Sequence, residues 1–405
     1  MSARLTILSL LIFSFGCQRG TPEQSDWKGQ LLRSDGKNIP FQFYADLRPS
    51  TPIGYFIVGD ERVQVPEIVH NGDSLTFLFS EYSAAMRGRL NGSSWEGKYI
   101  RYRANVLSIP FSAIAAPTDT SRTVQDAKPA IPLMGKFRAY LQRGAAVDSA
   151  AVATFWMKND SIFGTVIAPD GDYGLNAGKQ SGTSVLLTRF TGWQAQIFEL
   201  RQDGSSWNGK IYVRDEPPTT LTLHPLNMLP EIIPGGRETK IKESGAAFAF
   251  AGITSEGDTL TNLSERFRGK ALIVDIMGTW CHNCMDEAPV LQQLYEEYKA
   301  KGLEIVGLSF EINDNAELAK KNLRLYQKRF GITFPVLFCG STEDTYVDQK
   351  LKSQLDNFYA YPTSLFIDKR GNVEYIHIGF KGPGTGDEFQ AEVQHIYATL
   401  KRILR

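Results

Sequence analysis

The residues best suited to chemistry lie in GTWCHNC, Gly278 to Cys284, where two residues separate Cys281 from Cys284. Cysteines at this spacing can clamp a metal, close a structural disulfide or cycle as a dithiol. A zinc site needs four ligands. Apart from Cys17, the chain offers Cys281, Cys284, Cys339 and five histidines, with no second C-x-x-C and no H-x-x-x-H. No metal site and no cofactor are therefore expected.

The elements around the pair point to redox chemistry. KALIVDIM (Lys270 to Met277) reads as a continuous apolar strand of the buried, parallel kind. Cys284 to Ala300 reads as a helix, with Val290, Leu291, Leu294, Tyr295 and Tyr298 on one face and Gly302 as its stop signal. A C-x-x-C between such a strand and helix is the setting of a redox dithiol. Helix N-terminal N–H groups and the macrodipole favour a thiolate at the first cysteine, so Cys281 is the predicted nucleophile. One helical turn brings Cys284 behind it as the resolving thiol.

The pattern continues with a strand over Leu303–Phe310 and a helix over Ala316–Phe330. A strand over Phe334–Phe338, a helical segment over roughly Thr345–Asn357 and a hairpin turning at Lys369-Arg370 follow. A last helix covers Glu388–Leu404. Strand–helix alternation of this kind makes an α/β sheet.

The first half is different. NGSSWEGK from Asn91 recurs as DGSSWNGK from Asp203, GDSLTFLF from Gly72 as GTSVLLTRF from Gly182, and IGYFIV as IFGTVIA. More loosely, Trp27-Lys28-Gly29 pairs with Met134-Gly135-Lys136. Short β-branched and aromatic runs between Asn-Gly, Asp-Gly and Gly-Asp pairs predict antiparallel hairpins. Two related all-β modules are expected, 24–116 and 132–226, joined by a polar stretch from Ala116 to Pro132 and packed together as a sandwich or barrel-like unit. Each repeated tryptophan, Trp95 and Trp207, is expected to fill a module core rather than form a binding platform. A linker over 227–240 leads to the α/β domain, 241–405.

Composition places limits on partners and compartment. The chain has 405 residues, 42% hydrophobic and 22% charged, with 44 basic and 44 acidic side chains. That is a globular, multidomain composition with no global pull towards nucleic acid. Residues 1–16 read as a signal peptide, with Arg4 before an apolar run from Leu5 to Phe15. Gly16-Cys17 resembles the lipobox of bacterial lipoproteins, which implies lipidation at Cys17 and a membrane anchor. Export to an oxidising compartment suits one cysteine pair plus a single buried cysteine, Cys339.

DIMGTWCHNCMDEAPVLQQLYEEYKAKGLEIVGLSFE resembles the TlpA/ResA branch of the thioredoxin superfamily, and the resemblance covers about residues 240 to 405. It implies a multidomain protein with a C-terminal α/β thioredoxin-like fold, active in disulfide exchange outside the cytoplasm. Trp280-Cys281-x-x-Cys284 matches the active-site motif, Pro289 the helix-kinking proline, and Tyr361-Pro362-Thr363 the loop whose proline is cis. Glu287 aligns with a glutamate near the cysteines, and Asp275 with a buried aspartate able to take a proton from Cys284. The implied partners are protein thiols or disulfides and an upstream redox protein, in the periplasm or cell envelope of a Gram-negative bacterium. His282 is read in two ways, as a cation that stabilises the Cys281 thiolate or as a solvent-facing residue. Rival readings are a peroxiredoxin-like peroxide reductase and an anchored binding or scaffold protein.

Overall fold

Tight turns organise the first half. In the computed structural model, Asn91 pairs with Ser94 and Asp203 with Ser206 across two-residue loops. Gly92 and Gly204 take φ values of 57° and 60° there, a left-handed conformation open to glycine. Alternating burial along the flanking strands aims every second residue inward. The structure describes residues 22–405 except 103–105, 117–130, 170, 227–237, 244 and 246. Cys17, the signal segment, most of the inter-module stretch and most of the linker lie outside the described residues.

The hairpins build two nine-stranded antiparallel sheets. In the second, strand Ala146–Lys158 pairs with both Gly135–Arg143 and Ser161–Ala168, which closes a barrel. The first sheet runs from Glu61–Gln64 at one edge to Glu67–Asn71 at the other, without a ladder between these edges. Trp27 and Trp95 are 1% and 0% exposed inside the first sheet, and Trp207 is 1% exposed inside the second, so the repeated tryptophans are core residues. In the first core Trp95 packs against Phe77 and Phe111 with ring centroids 4.7 and 4.5 Å apart.

Register corrects one part of the repeat. Trp27 faces Ala115 and Phe137 faces Pro225, while Trp95 faces Ala113 and Trp207 faces Leu223. With the two tryptophans superposed, Trp27 corresponds to Phe137. The expected match of Trp27 to Met134 is therefore three residues out. Met134 is 51% exposed, whereas Trp27 and Phe137 both point inward. The two sheets pack together: Phe190 of the second lies 4.9 and 4.7 Å from Phe41 and Phe56 of the first.

The C-terminal domain is thioredoxin-like. Its central strand Ala271–Met277, buried throughout, runs parallel to Leu303–Glu311, which runs parallel to Val336–Ser341. Thr363–Ile367 lies antiparallel on the other side of the central strand and forms a hairpin with Val373–Ile378. Two short strands absent from the sequence reading, Ala251–Ile253 and Thr259–Thr261, complete the far edge. Helices His282–Tyr298, Ala316–Phe330 and Asp387–Ile403 flank the sheet. Gly302 and Gly331 end chain segments in left-handed conformation, φ 95° and 65°, as stop signals should. The segment expected to be helical over 345–357 is helical only over Asp344–Lys352. It then gives way to a short strand, Leu355–Asp356, that pairs with Lys240–Ile241.

Candidate functional site

The central strand ends at Met277, and its continuation carries the dithiol to the start of the helix. Cys281 is the N-cap of His282–Tyr298, and its sulfur accepts the Cys284 N–H at 3.2 Å. The two cysteines form a disulfide, with Cα atoms 5.2 Å apart. Cys281 Sγ lies 3.5 Å from the carbonyl oxygen of Tyr361, and the Tyr361–Pro362 bond is cis. The structure thus brings together Trp280, Cys281, Cys284 and Pro362. Trp280 donates from Nε1 to the Phe310 carbonyl at 2.8 Å and stands edge-on to Tyr361, 5.6 Å between centroids.

Two buried carboxyl groups, Asp275 and Glu287, meet at Ser364. Asp275 is opposite Ser364 in the ladder between strands Ala271–Met277 and Thr363–Ile367. Ser364 Oγ donates to Glu287 Oε1 at 3.0 Å. Asp275 is 2% exposed and Glu287 1%. Burial raises Asp275 to about 7, and burial together with the charge of Asp275 holds Glu287 well above the usual carboxylate range. Asp275 Oδ1 and Glu287 Oε2 have no hydrogen-bond partner among the described residues. Glu287 therefore favours the protonated form near neutrality, while Asp275, at about 7, is near its midpoint there and can take up or release a proton. Tyr326 donates to the Cys284 carbonyl at 3.1 Å on the same side.

Two features escaped sequence reasoning and one expectation is corrected. Glu311 accepts from Thr279 N–H at 3.1 Å, from Thr279 Oγ1 at 2.8 Å and from Ser309 Oγ at 2.5 Å, and so clamps the turn that delivers Cys281. Its signal was a lone carboxylate closing an apolar strand. Second, His282 matches neither expectation. Its side chain is 15% exposed, and burial, with Arg189 and Arg329 nearby, holds it well below its ordinary value, hence neutral. It lies 3.2 Å from Asp286, which burial raises towards the neutral acid. Third, the second barrel approaches this face, and nothing in the local pattern announced that. Cys339 is 3% exposed and burial pushes its thiol up to about 12, as suits an inert core cysteine. Among the described residues no cluster of three or more His, Cys, Asp or Glu side chains could hold a metal.

With this geometry in view, comparison with known proteins is direct. Residues 245–376 match the model of the AhpC/TSA family. The chain is 29% identical over 143 residues to the thioredoxin-like protein YneN of Bacillus subtilis, covering 35% of this chain and 75% of that protein. It is 34% identical over 113 residues to the thiol-disulfide oxidoreductase ResA of Geobacillus kaustophilus, covering 28% of this chain and 57% of that protein. Among solved structures, a thioredoxin-family thiol:disulfide interchange protein from Chlorobium tepidum superposes with a TM-score of 0.30. It is 25% identical, and the alignment covers 41% of this chain and all of that one. The chain spans little more than half of the ResA relative.

Proposed function

We propose that this chain is an exported thiol–disulfide oxidoreductase whose C-terminal thioredoxin-like domain, 241–405, exchanges disulfides with protein substrates. The observation that carries the reading is the Cys281–Cys284 pair at a helix N-terminus beside Tyr361-Pro362. In the reducing direction, the Cys281 thiolate attacks one sulfur of a substrate disulfide. An S–S bond forms to Cys281, the substrate S–S bond breaks, and one substrate thiolate leaves. Cys284 passes its proton to the buried Asp275–Glu287 pair and attacks the Cys281 sulfur. The second substrate thiolate leaves, and two electrons have moved from the dithiol to the substrate. An upstream redox partner restores the dithiol. In the oxidising direction the same steps run in reverse.

Pro362 shapes the substrate edge, and Trp280 packs the turn that presents Cys281. Export by residues 1–16, a lipid at Cys17 and residence in the periplasm or cell envelope complete the proposal. The modules 24–116 and 132–226 and the linker 227–240 hold the redox domain off the membrane or recruit substrate. The test is trapping. A full-chain Cys284→Ser variant should accumulate mixed disulfides with cellular thiol proteins, which mass spectrometry would identify. A Cys281→Ser variant that still exchanged disulfides would overturn the assignment.

A further inference from the structure

In a lone thioredoxin-like domain, the face carrying the dithiol would meet solvent. Here the second barrel occupies much of it. Gly171 sits so close to the residues between the cysteines that a Cβ on it would fall 1.7 Å from Asn283 Nδ2. Its φ of 129° also belongs to glycine. The next residue, Asp172, is 8% exposed and accepts the Gly382 N–H of the redox domain at 2.7 Å. Trp193, from the loop after strand Ser184–Phe190, bridges the three parts. It stacks on Tyr82 of the first sheet at 5.3 Å and meets Trp280 at 6.1 Å. Tyr82 in turn donates to Met285 Sδ at 2.9 Å, one residue beyond Cys284.

These contacts are a built interface. One apolar cluster runs from the first sheet's core through Phe190, Ala195 and Ile197 to Cys281, Cys284 and Met285. At its edge Arg189, with 1% of its side chain exposed, pairs with Glu61 of the first sheet at 2.5 Å. Arg189 also donates to the Leu175 carbonyl at 2.8 Å, and its charge acts on Asp172 and Asp286. Arg189 thus ties the two β modules together, while the Gly382–Asp172 hydrogen bond and the Trp193–Trp280 contact join the barrel to the redox domain. Cys281 is left 5% exposed.

Exchange needs the attacking sulfur and both sulfurs of the substrate close to one line, and access to that line sets the rate. We propose that the second barrel is the specificity wall of this site. Its Gly171–Asp172 strand and Trp193 admit disulfides of low-molecular-weight thiols or of an extended, unfolded segment. They exclude disulfides set in a folded surface. The inference rests on the thiol–disulfide reading and narrows its substrate class.

The experiment uses the full chain in reduced form. Oxidation of Cys281 is timed with oxidised glutathione, with an unfolded peptide containing a disulfide, and with a folded protein carrying a surface disulfide. The wild type should oxidise with the first two and lag by roughly tenfold or more with the third, since steric access governs exchange. Trp193→Ala and Trp193→Leu, which shrink the ring that meets Trp280, should raise the ratio of the folded-substrate rate to the glutathione rate. Equal rates for folded and unfolded substrates, or ratios unmoved in both variants, would overturn the wall. A glutathione rate well above the peptide rate would assign the site to small thiols, and the reverse to unfolded chains; either outcome supports the wall. Alkylation of Cys281 by iodoacetamide and by a long polyethylene-glycol maleimide, read by peptide mass, reports the same access without any exchange. If the variants do not fold, the wild-type alkylation ratio decides: a slow bulky reagent supports the wall and equal reagents sink it. Graded alkylation with no exchange towards any disulfide would instead refute the oxidoreductase reading and leave the wall standing.

Discussion

The Cys281 sulfur accepts the amide N–H of Cys284 at 3.2 Å, so the side chain that caps the helix is also the one placed to attack. That amide and the helix macrodipole favour negative charge on Cys281 and not on Cys284. Cys284 is 1% exposed and Cys339 3%. In the reduced protein, limiting iodoacetamide at neutral pH should therefore label Cys281 first, roughly tenfold or more ahead of the other two. Peptide mapping over a time course checks this, and equal labelling of Cys281 and Cys284 would remove the basis for naming Cys281 the nucleophile.

Glu311 holds the turn before the dithiol through Thr279, which is fully buried. Glu311→Ala would leave Thr279 N–H and two hydroxyls without their acceptor. The expected cost is roughly 3–5 kcal/mol, since each orphaned buried donor costs about 1–3 kcal/mol and local relaxation recovers part. Urea unfolding measures it. A loss below about 0.5 kcal/mol, the scale of an ordinary surface change, would mean that the clamp does not hold the turn.

Asp275 gives a pH dependence whose sign follows from its environment. Its folded value is about 7, above the 3.8 of an unburied aspartate. The folded state therefore holds this proton more tightly than the unfolded state. Stability from this group is fully present below pH 3.8 and is lost as pH rises towards 7. The slope approaches roughly 1.4 kcal/mol per pH unit at most. Asp275→Asn should flatten the stability curve between these limits and be the more stable protein at pH 8. It should also slow the release of trapped mixed disulfides, because Cys284 loses a proton acceptor. A variant whose stability curve parallels the wild type would show that Asp275 does not titrate in this range.

The sequence revealed most of what is local. The C-x-x-C between an apolar strand and a helix, the glycine stops at 302 and 331, and the repeated tryptophans each carry their meaning in nearby residues. It said little about what is set across the chain. Gly171 against Asn283, Trp193 against Trp280 and Glu311 beneath Thr279 join residues between 32 and 112 positions apart in sequence. No periodicity encodes such pairs. Strands of three residues, such as Ala251–Ile253, are too short to show an alternation. The Trp27 register slipped for a related reason. In that stretch a single aromatic residue could be matched to either Met134 or Phe137, and only the partner strands decide.

His282 lies between the cysteines, where a cation would stabilise the Cys281 thiolate and bias the pair towards oxidation. Its surroundings oppose that charge. Burial, then Arg189 from the second barrel, then Arg329 from the helix Ala316–Phe330, hold it well below 6.5. The neighbouring Asp286 does not rescue it, because burial and Asp172 push that carboxyl towards the neutral acid. The folded state thus binds this proton more weakly than the unfolded state. Stability from His282 is present above pH 6.5 and is lost as pH falls through that value towards the folded one. His282→Gln should remove this acid-side loss. At pH 7 it should change the alkylation rate of Cys281 by less than about twofold, because no imidazolium is there to be removed. A tenfold drop in that rate would show that His282 carries charge beside the sulfur after all.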